Sequence, residues 1–241
     1  MISYKSITCI GDREVNEDSI VCVEKNGNYC FVVADGLGGH GKGDVASNIV
    51  VEVFKKEFLD CTEGTEYFLE KAFTSTQNEI INKQIELSAK HEMKTTAVAL
   101  SIINGICQWG HIGDSRLYVF FKNKVKTRTL DHSVPQMLVL SHEIKEKQIR
   151  YHLDRNKLLR VLGIEGESPH YDTSEQFPID KCQAFLLCSD GFWELINEKY
   201  MTKFLKKSHN VSEWLDFMQA EVEKNAIGKD MDNYSAIAVL C

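Results

Sequence analysis

The chain has 241 residues, a length that fits one large domain, and its 43% hydrophobic and 26% charged residues are ordinary for a globular protein. This composition excludes a disordered or fibrous chain. The formal net charge of −7, from 28 Lys and Arg against 35 Asp and Glu, argues against nucleic acid as a partner, because phosphate backbones are bound by clustered basic side chains.

The sequence shows neither an apolar run of roughly 18 residues that could cross a bilayer nor a signal peptide at residues 1–11. Its eight cysteines include no CxxC pair. We therefore expect a cytoplasmic protein with reduced thiols and no membrane contact.

Hydrophobic patterning predicts strands and helices in separate groups. The predicted elements are, in order, strands at 19–24 and 29–34, helices at 44–58 and 65–90, strands at 95–103, 106–112 and 116–122, a polar surface helix at 132–152, a strand at 184–188, helices at 192–207 and 213–224, and a strand at 235–240. Because helices do not alternate one for one with strands, the order favours an α+β domain of antiparallel sheets covered by helices over a doubly wound parallel sheet.

Aspartates recur at the edges of these predicted strands. Asp35 and Asp190 each end an apolar run and precede a glycine, Asp114 and Asp232 each lie just before a strand, and a cluster at 16–18 precedes the first strand. Oxygen ligands of this kind suit Mg²⁺ or Mn²⁺. A single Asp-Gly pair after a strand is more often a turn than a ligand, so spacing alone leaves both interpretations open.

A glycine-rich segment at 36–41 offers a nucleotide-binding alternative. It fits GxGxxG, and through Lys42 it fits GxxxxGK. The dinucleotide interpretation fails because Asp60, at the position of the expected acid, follows a helical pattern and not a strand. The P-loop interpretation fails because Gly43 replaces the required hydroxyl. Signatures of cysteine phosphatases, GxSxG hydrolases and HExxH zinc enzymes are also missing.

Short motifs occur in a specific order along nearly the whole chain. They are GDREVNED at 11–18, VADGLGGH at 33–40, TT at 95–96, GDSR at 113–116, DHS at 131–133, RN at 155–156, LG at 162–163, LCSDG at 187–191 and DN at 232–233. Together they resemble the PPM family, the PP2C-type metal-dependent protein phosphatases, in its compact bacterial form.

The resemblance implies a single phosphatase domain over residues 1–241, built as a four-layer α-β-β-α sandwich with two central antiparallel sheets flanked by helices. It implies hydrolysis of phosphoserine and phosphothreonine on proteins by water activated between two Mn²⁺ or Mg²⁺ ions. It also implies a monomer acting on phosphoproteins, such as a serine/threonine kinase or its targets. Two alternatives remain: a non-catalytic pseudophosphatase that binds phosphoproteins, and a phosphatase of small phosphorylated metabolites.

The resemblance further assigns metal ligands. Asp35 would bridge two ions, and the Gly36 carbonyl would complete the coordination of one of them. Asp190 and Asp232 would hold the other ion, while Asp114 would help to bind a third, looser one. Asp35 and Asp190 are for this reason counted as catalytic residues.

Other roles follow from the same resemblance. Glu17 and Asp18 would orient metal-bound waters, Asn233 would support the ligands from behind, and Arg13 would bind the substrate phosphate as a catalytic residue. A guanidinium suits a phosphate because its fork can bind two oxygens at once. From its acidic sequence neighbours alone, Arg13 would instead be taken as a partner in a surface ion pair.

The sequence departs from the family pattern at a few positions. Leu37 stands where animal members carry a histidine proposed as the general acid, and His40 is the nearby candidate for that role. Lys94, His142 and the pair at 182–183 replace residues that are common in the family. None of these departures removes a metal ligand that the resemblance implies.

Overall fold

The computed structural model describes residues 2–37, 41–62, 64–89, 92–166 and 168–241. Strands β1 to β12 are Ser3–Cys9, Asp18–Lys25, Asn28–Leu37, Lys94–Thr95, Ala97–Ile103, Ile106–Ile112, Arg116–Phe121, Lys124–Arg128, Asp172–Thr173, Phe177–Pro178, Ala184–Cys188 and Tyr234–Leu240. Helices α1 to α6 are Gly43–Asp60, Thr65–Glu86, Val134–Leu140, Asp190–Trp193, Glu198–Lys207 and Val211–Ala226, and 3₁₀ turns cover Glu146–Tyr151 and Ile179–Lys181.

Within these residues the strands form two antiparallel sheets. The first sheet has the order β1-β12-β11-β7-β8, and the second has the order β10-β6-β5-β3-β2 with β4 beside β3 and β9 beside β6. Loops that leave β1 and β6 cross from one sheet to the other. The predicted α+β fold, with two antiparallel sheets flanked by helices, is confirmed.

Three apolar layers hold the sandwich together, because side chains of a strand alternate between its two faces. On β3, Phe31 and Val33 point into the layer between the sheets, whereas Val32 and Ala34 pack under α1 and α2. On the first sheet, alternate residues of β11 and β12 face the middle layer or pack under α5 and α6. Strands buried on both faces explain the continuous apolar runs in the sequence.

The predicted helix at 132–152 is wrong. The segment contains α3, which starts beside Pro135, and the separate 3₁₀ turn Glu146–Tyr151. His142 between them has φ 64°, a left-handed conformation that ends a helix. The segment is also less exposed than predicted, since His132 and Ile149 are buried.

Other element boundaries also differ from the prediction. The helix predicted at 192–207 is divided, because α4 ends at Trp193 and α5 starts only after Asn197, whose side chain caps it by accepting a hydrogen bond from the Tyr200 amide. The helix predicted at 65–90 ends at Glu86, and residue 90 lies outside the described residues. Strands β1 and β8 were not predicted, because both are sheet-edge strands with many exposed positions.

Among the helices of the described ranges, none combines the length and the apolar character needed to span a bilayer.

Candidate functional site

A cavity of about 710 Å³ lies at the end of the sandwich where loops pass between the sheets. The five residues that were predicted to bind metal all line it: Asp35, Gly36, Asp114, Asp190 and Asp232. The predicted residues Arg13 and Glu17 line the same cavity. The fold therefore brings together residues that are up to 219 positions apart in the chain.

Neighbouring strand ends place these carboxylates. Asp35 lies near the end of β3, in the second sheet, and Asp114 lies in the turn between β6 and β7. Asp190 begins α4 directly after β11, and Asp232 precedes β12, which pairs with β11. Carboxylates from both sheets thus face one cavity.

The glycines beside the carboxylates serve close packing, not turn formation. A Cβ at Gly36 would lie 2.2 Å from the carbonyl oxygen of Gly43 at the start of α1. A Cβ at Gly191 would lie 2.1 Å from the carbonyl oxygen of Asn233. Only glycine permits these approaches, so the two Asp-Gly pairs bring separate parts of the backbone together beside Asp35 and Asp190.

The electrostatics of the cavity are unfavourable for carboxylates without a cation. Burial raises the pKa of Asp35 well above its ordinary value, and the nearby Asp190 raises it further. The pKa of Asp114 is also raised, mainly by burial and next by the charge of Asp190. The pKa of Asp190 is raised mainly by burial and next by the charge of Asp232. Asp35 and Asp190 are close enough to share a hydrogen bond. A divalent cation would relieve this repulsion, so the ligand set fits Mn²⁺ or Mg²⁺.

Asp18 pairs with Asp35 across β2 and β3 and carries an unsatisfied oxygen. The Ser189 hydroxyl donates a hydrogen bond of 2.7 Å to Asp18 Oδ2, and the Ser189 oxygen accepts one from the Ser235 amide. Asp18 Oδ1 is buried without a hydrogen-bond partner among the described residues. Burial raises the pKa of Asp18 to about 7. A buried carboxylate oxygen without a donor is costly, so this atom fits a site that takes up further hydrogen-bond donors.

Asn233 joins the two ends of the chain beside the cavity. Its Oδ1 accepts a hydrogen bond of 2.8 Å from the Glu17 amide, and its Nδ2 donates to the carbonyl oxygens of Ile10 and Val15. Glu17 itself lines the cavity, and its pKa is raised, mainly by burial and next by the charge of Asp44. Asn233 therefore supports the loop that carries Arg13 and Glu17.

Arg13 forms its ion pair across the cavity and not with its sequence neighbours. Its Nη2 donates a hydrogen bond of 2.8 Å to Asp232 Oδ2. The side chain is still 51% exposed, which leaves part of the guanidinium fork open to the cavity. Leu37 also lines the cavity, whereas the candidate general acid His40 lies outside the described residues.

Several residues of the site were not predicted. Asn156 and Leu158 line the cavity. Asn156 belongs to the RN motif at 155–156, but the family resemblance assigned it no role. Thr96 Oγ1 accepts a hydrogen bond from the Asp35 amide, and the Trp193 indole donates one to the Asp114 carbonyl oxygen. Their sequence signal is weak, because a Thr or Trp beside a strand is usually a packing residue.

Comparisons with known proteins identify the family of this chain. The family model for Protein phosphatase 2C matches residues 8–226. A serine/threonine phosphatase stp of Listeria welshimeri is 34% identical over 238 residues, which cover 94% of this chain and 90% of that protein.

Solved structures share the fold. Serine/threonine phosphatase Stp1 from Staphylococcus aureus superposes with a TM-score of 0.89 at 24% identity, covering 100% of this chain and 95% of that one. The catalytic domain of the serine threonine protein phosphatase PstP, solved in complex with 2 manganese ions, has a TM-score of 0.82 at 23% identity, covering 99% and 97% of the two chains. The family match and the close relative identify this chain as a member of the protein phosphatase 2C family of serine/threonine phosphatases.

Proposed function

We propose that this protein hydrolyses phosphoserine and phosphothreonine on proteins with the help of divalent cations held in the carboxylate cavity. The observation that carries the proposal is the convergence of four aspartates from both sheets, at positions 35, 114, 190 and 232, beside Arg13. When bound, Mn²⁺ or Mg²⁺ would supply an activated water and neutralise phosphoryl charge.

The carboxylates that line the cavity would hold the cations. Asp35, the Gly36 carbonyl oxygen, Asp190 and Asp232 would together hold two ions. Asp114, which lines the same cavity, would help to hold a third ion. This ligand set contains only oxygen, as hard divalent cations prefer.

The remaining polar residues would act on water and substrate. Arg13 would bind two phosphate oxygens through its exposed fork and so orient the phosphorus for in-line attack. Glu17 and Asp18 would orient water, with Asp18 Oδ1 available as an acceptor, and Asn233 would hold the loop that carries Arg13. Because Leu37 cannot donate a proton, the leaving serine or threonine oxygen would take its proton from water or from another residue.

The proposal extends to the whole chain. We expect residues 1–241 to act as one phosphatase domain and as a monomer in the cytoplasm. Its substrates would be phosphoproteins, such as a serine/threonine kinase or the targets of that kinase.

Hydrolysis of a phosphothreonine peptide by purified protein tests the proposal, with EDTA, Mg²⁺ or Mn²⁺ added in parallel. We expect phosphate release that requires Mn²⁺ or Mg²⁺, stops with EDTA and falls to background in Asp35→Asn. The matched control is Asp216→Asn, since Asp216 pairs with Lys5 on the surface outside the cavity. Folded protein without turnover under any metal would support a pseudophosphatase, and faster turnover of sugar phosphates than of phosphopeptides would point to a metabolite phosphatase.

A further inference from the structure

The turn that carries Asp114 is held by hydrogen bonds on both sides. The Gly113 amide donates to His132 Nδ1 at 3.2 Å, and the His132 amide donates to the Gly113 carbonyl oxygen at 2.8 Å. On the other side, the Trp193 indole donates to the Asp114 carbonyl oxygen at 3.0 Å. His132, Trp193 and Asp114 are all buried. The backbone at positions 113 and 114 is therefore fixed by two side chains from separate parts of the chain.

Gly113 itself suits this arrangement. Its φ of +99° is a conformation that favours glycine, and a Cβ there would lie 2.6 Å from the Thr96 side chain. The turn is consequently tight, and a small rotation at Gly113 would swing the Asp114 side chain away from the cavity.

The hydrogen bonds of His132 define its tautomer. Because Nδ1 accepts from the Gly113 amide, the ring proton lies on Nε2, which donates to Asp172 Oδ2 at 3.2 Å. Asp172 Oδ1 in turn accepts a hydrogen bond of 3.2 Å from Arg160. Burial lowers the pKa of His132, which favours the neutral ring that this pattern requires. A continuous chain of contacts thus runs from Arg160 on the surface to the Asp114 turn.

The same residues could be mistaken for a zinc site. Ligand atoms of His111, His132 and Asp172 lie within 4.8 Å of one another. However, the two imidazole rings stack with centroids 4.5 Å apart and planes inclined by only 27°. A zinc ion bound by two histidines lies in the plane of both rings, at about 2.0–2.1 Å from each nitrogen. Two nearly parallel rings at this separation have no common point in both planes that is so close to both nitrogens. The lone pair of His132 is also already directed at Gly113.

We propose that His132 is a positioning residue for Asp114, holding the Gly113 turn from behind so that the Asp114 carboxylate faces the cavity. The two hydrogen bonds between His132 and Gly113 fix the backbone next to Asp114, and groups that orient metal ligands in this way are common in metal sites. Trp193 completes the restraint from the opposite side. The inference rests on the proposed metal chemistry, in which Asp114 serves the most weakly bound ion.

A pair of variants of nearly equal shape separates positioning from packing. His132→Asn keeps an oxygen acceptor close to the position of Nδ1, whereas His132→Leu fills the same space without an acceptor. The first measurement is the hydrogen-exchange rate of the Gly113 amide by NMR in metal-free protein. The second is Mn²⁺ binding by titration calorimetry, together with thermal unfolding as a check of the fold.

In His132→Leu, we expect the Gly113 amide to exchange about tenfold faster, as loss of one buried hydrogen bond implies. The weakest-bound Mn²⁺ should lose about tenfold in affinity, the range found when residues behind metal ligands are replaced, while the tighter ions change less than about twofold. His132→Asn should stay within about threefold of the wild type in both measurements. Equal losses in the two variants, or unchanged binding of the weakest ion in folded His132→Leu, would overturn the positioning role.

Asp172→Ala provides a second route if His132→Leu does not fold. The Asp172 side chain is 53% exposed, so its removal leaves the core intact while it frees His132 Nε2. We expect Gly113 exchange to rise about threefold and the weakest Mn²⁺ to bind correspondingly less tightly; no change in either would overturn the inference. Wild-type protein that binds no Mn²⁺ at all would instead overturn the proposed function, a result that is distinguishable from failure of the positioning role alone.

Discussion

Arg13 and Asp232 form a hydrogen-bonded ion pair of 2.8 Å across the mouth of the cavity. The group proposed to bind phosphate is therefore paired with a group proposed to bind metal. If Asp232 held a cation, its carboxylate would bind Arg13 less strongly, and the guanidinium would be freer to bind the substrate phosphate. Metal binding and phosphate binding are thus expected to be coupled through these two residues.

This coupling predicts opposite effects on metal and substrate when Arg13 is replaced. In Arg13→Ala, KM for a phosphopeptide should rise at least about tenfold, because charge-assisted hydrogen bonds to phosphate are lost. Mn²⁺ should bind as tightly as in the wild type or more tightly, because a competing cation has been removed from Asp232. Phosphopeptide kinetics and Mn²⁺ titration check the two effects. Arg13→Lys is the matched control; full retention of KM by this variant would contradict bidentate binding.

Crowding of the carboxylates predicts that a catalytic substitution stabilises the metal-free protein. In Asp190→Asn a neutral amide replaces a carboxyl group whose pKa is raised by burial and by Asp232. The free energy of unfolding of metal-free protein at pH 7.5 should rise, because the repulsion and the cost of burying the charge are removed, while turnover falls to background. Denaturant unfolding with and without Mn²⁺ measures this, and Mn²⁺ should stabilise the wild type more than the variant. Lower stability of metal-free Asp190→Asn would contradict the repulsion argument.

The same carboxyl groups predict how stability depends on pH. Asp18, with a pKa of about 7, and Asp35, Asp114 and Asp190, with raised pKa values, bind protons more tightly in the folded protein than in the unfolded chain. Their contribution to stability is therefore full below about pH 4, the ordinary value, and is lost as the pH rises through the raised pKa of each group, which is about 7 for Asp18.

Thermal unfolding of metal-free protein between pH 4 and 8 measures this contribution as the difference between the wild type and Asp18→Asn. We expect the wild type to lose stability relative to the variant as the pH rises, and saturating Mn²⁺ to reverse the loss. A difference between the two proteins that does not change with pH would show that Asp18 has no raised pKa.

A buried ion pair behind the site predicts a large loss of stability on removal of one partner. Arg116 donates hydrogen bonds of 2.8 and 2.6 Å to the two carboxylate oxygens of Asp131, and its guanidinium lies 3.4 Å from the ring centroid of Trp193. Asp131→Asn should cost about 3–5 kcal/mol, because it leaves a buried charge without its counterion. The exposed control Asp216→Asn should change stability by less than about 0.5 kcal/mol, and an equal effect of both variants in denaturant unfolding would refute the argument.

Much of the site could be predicted because its residues stand at positions that local patterns mark. Asp35 and Asp190 follow continuous apolar runs, and such runs form strands buried on both faces in this sandwich. The family resemblance then supplied the association between these strand ends that the spacing alone left open. No local pattern predicted the two close backbone approaches, of Gly36 to Gly43 and of Gly191 to Asn233. Gly43 begins a helix in a different layer, and Asn233 lies far away in the sequence.

Two features escaped prediction for different physical reasons. The segment 132–152 has a helical and polar pattern, but the left-handed backbone at His142 divides it, and no side chain signals that conformation. Arg116 and Asp131 are charged residues, which are ordinarily exposed; each is buried because the other compensates its charge. Burial of this kind depends on a partner that becomes adjacent only after folding.

The origin of the carboxylates has a consequence for the lifetime of the protein in the cell. Asp35 belongs to one sheet, whereas Asp190 begins α4 after β11 and Asp232 precedes β12, both strands of the other sheet. Ions held between them would cross-link the two halves of the molecule, and their loss would leave like charges that push the halves apart. Because proteases cleave opened chains, scarcity of manganese or magnesium would reduce the number of enzyme molecules that survive as well as the activity of each one.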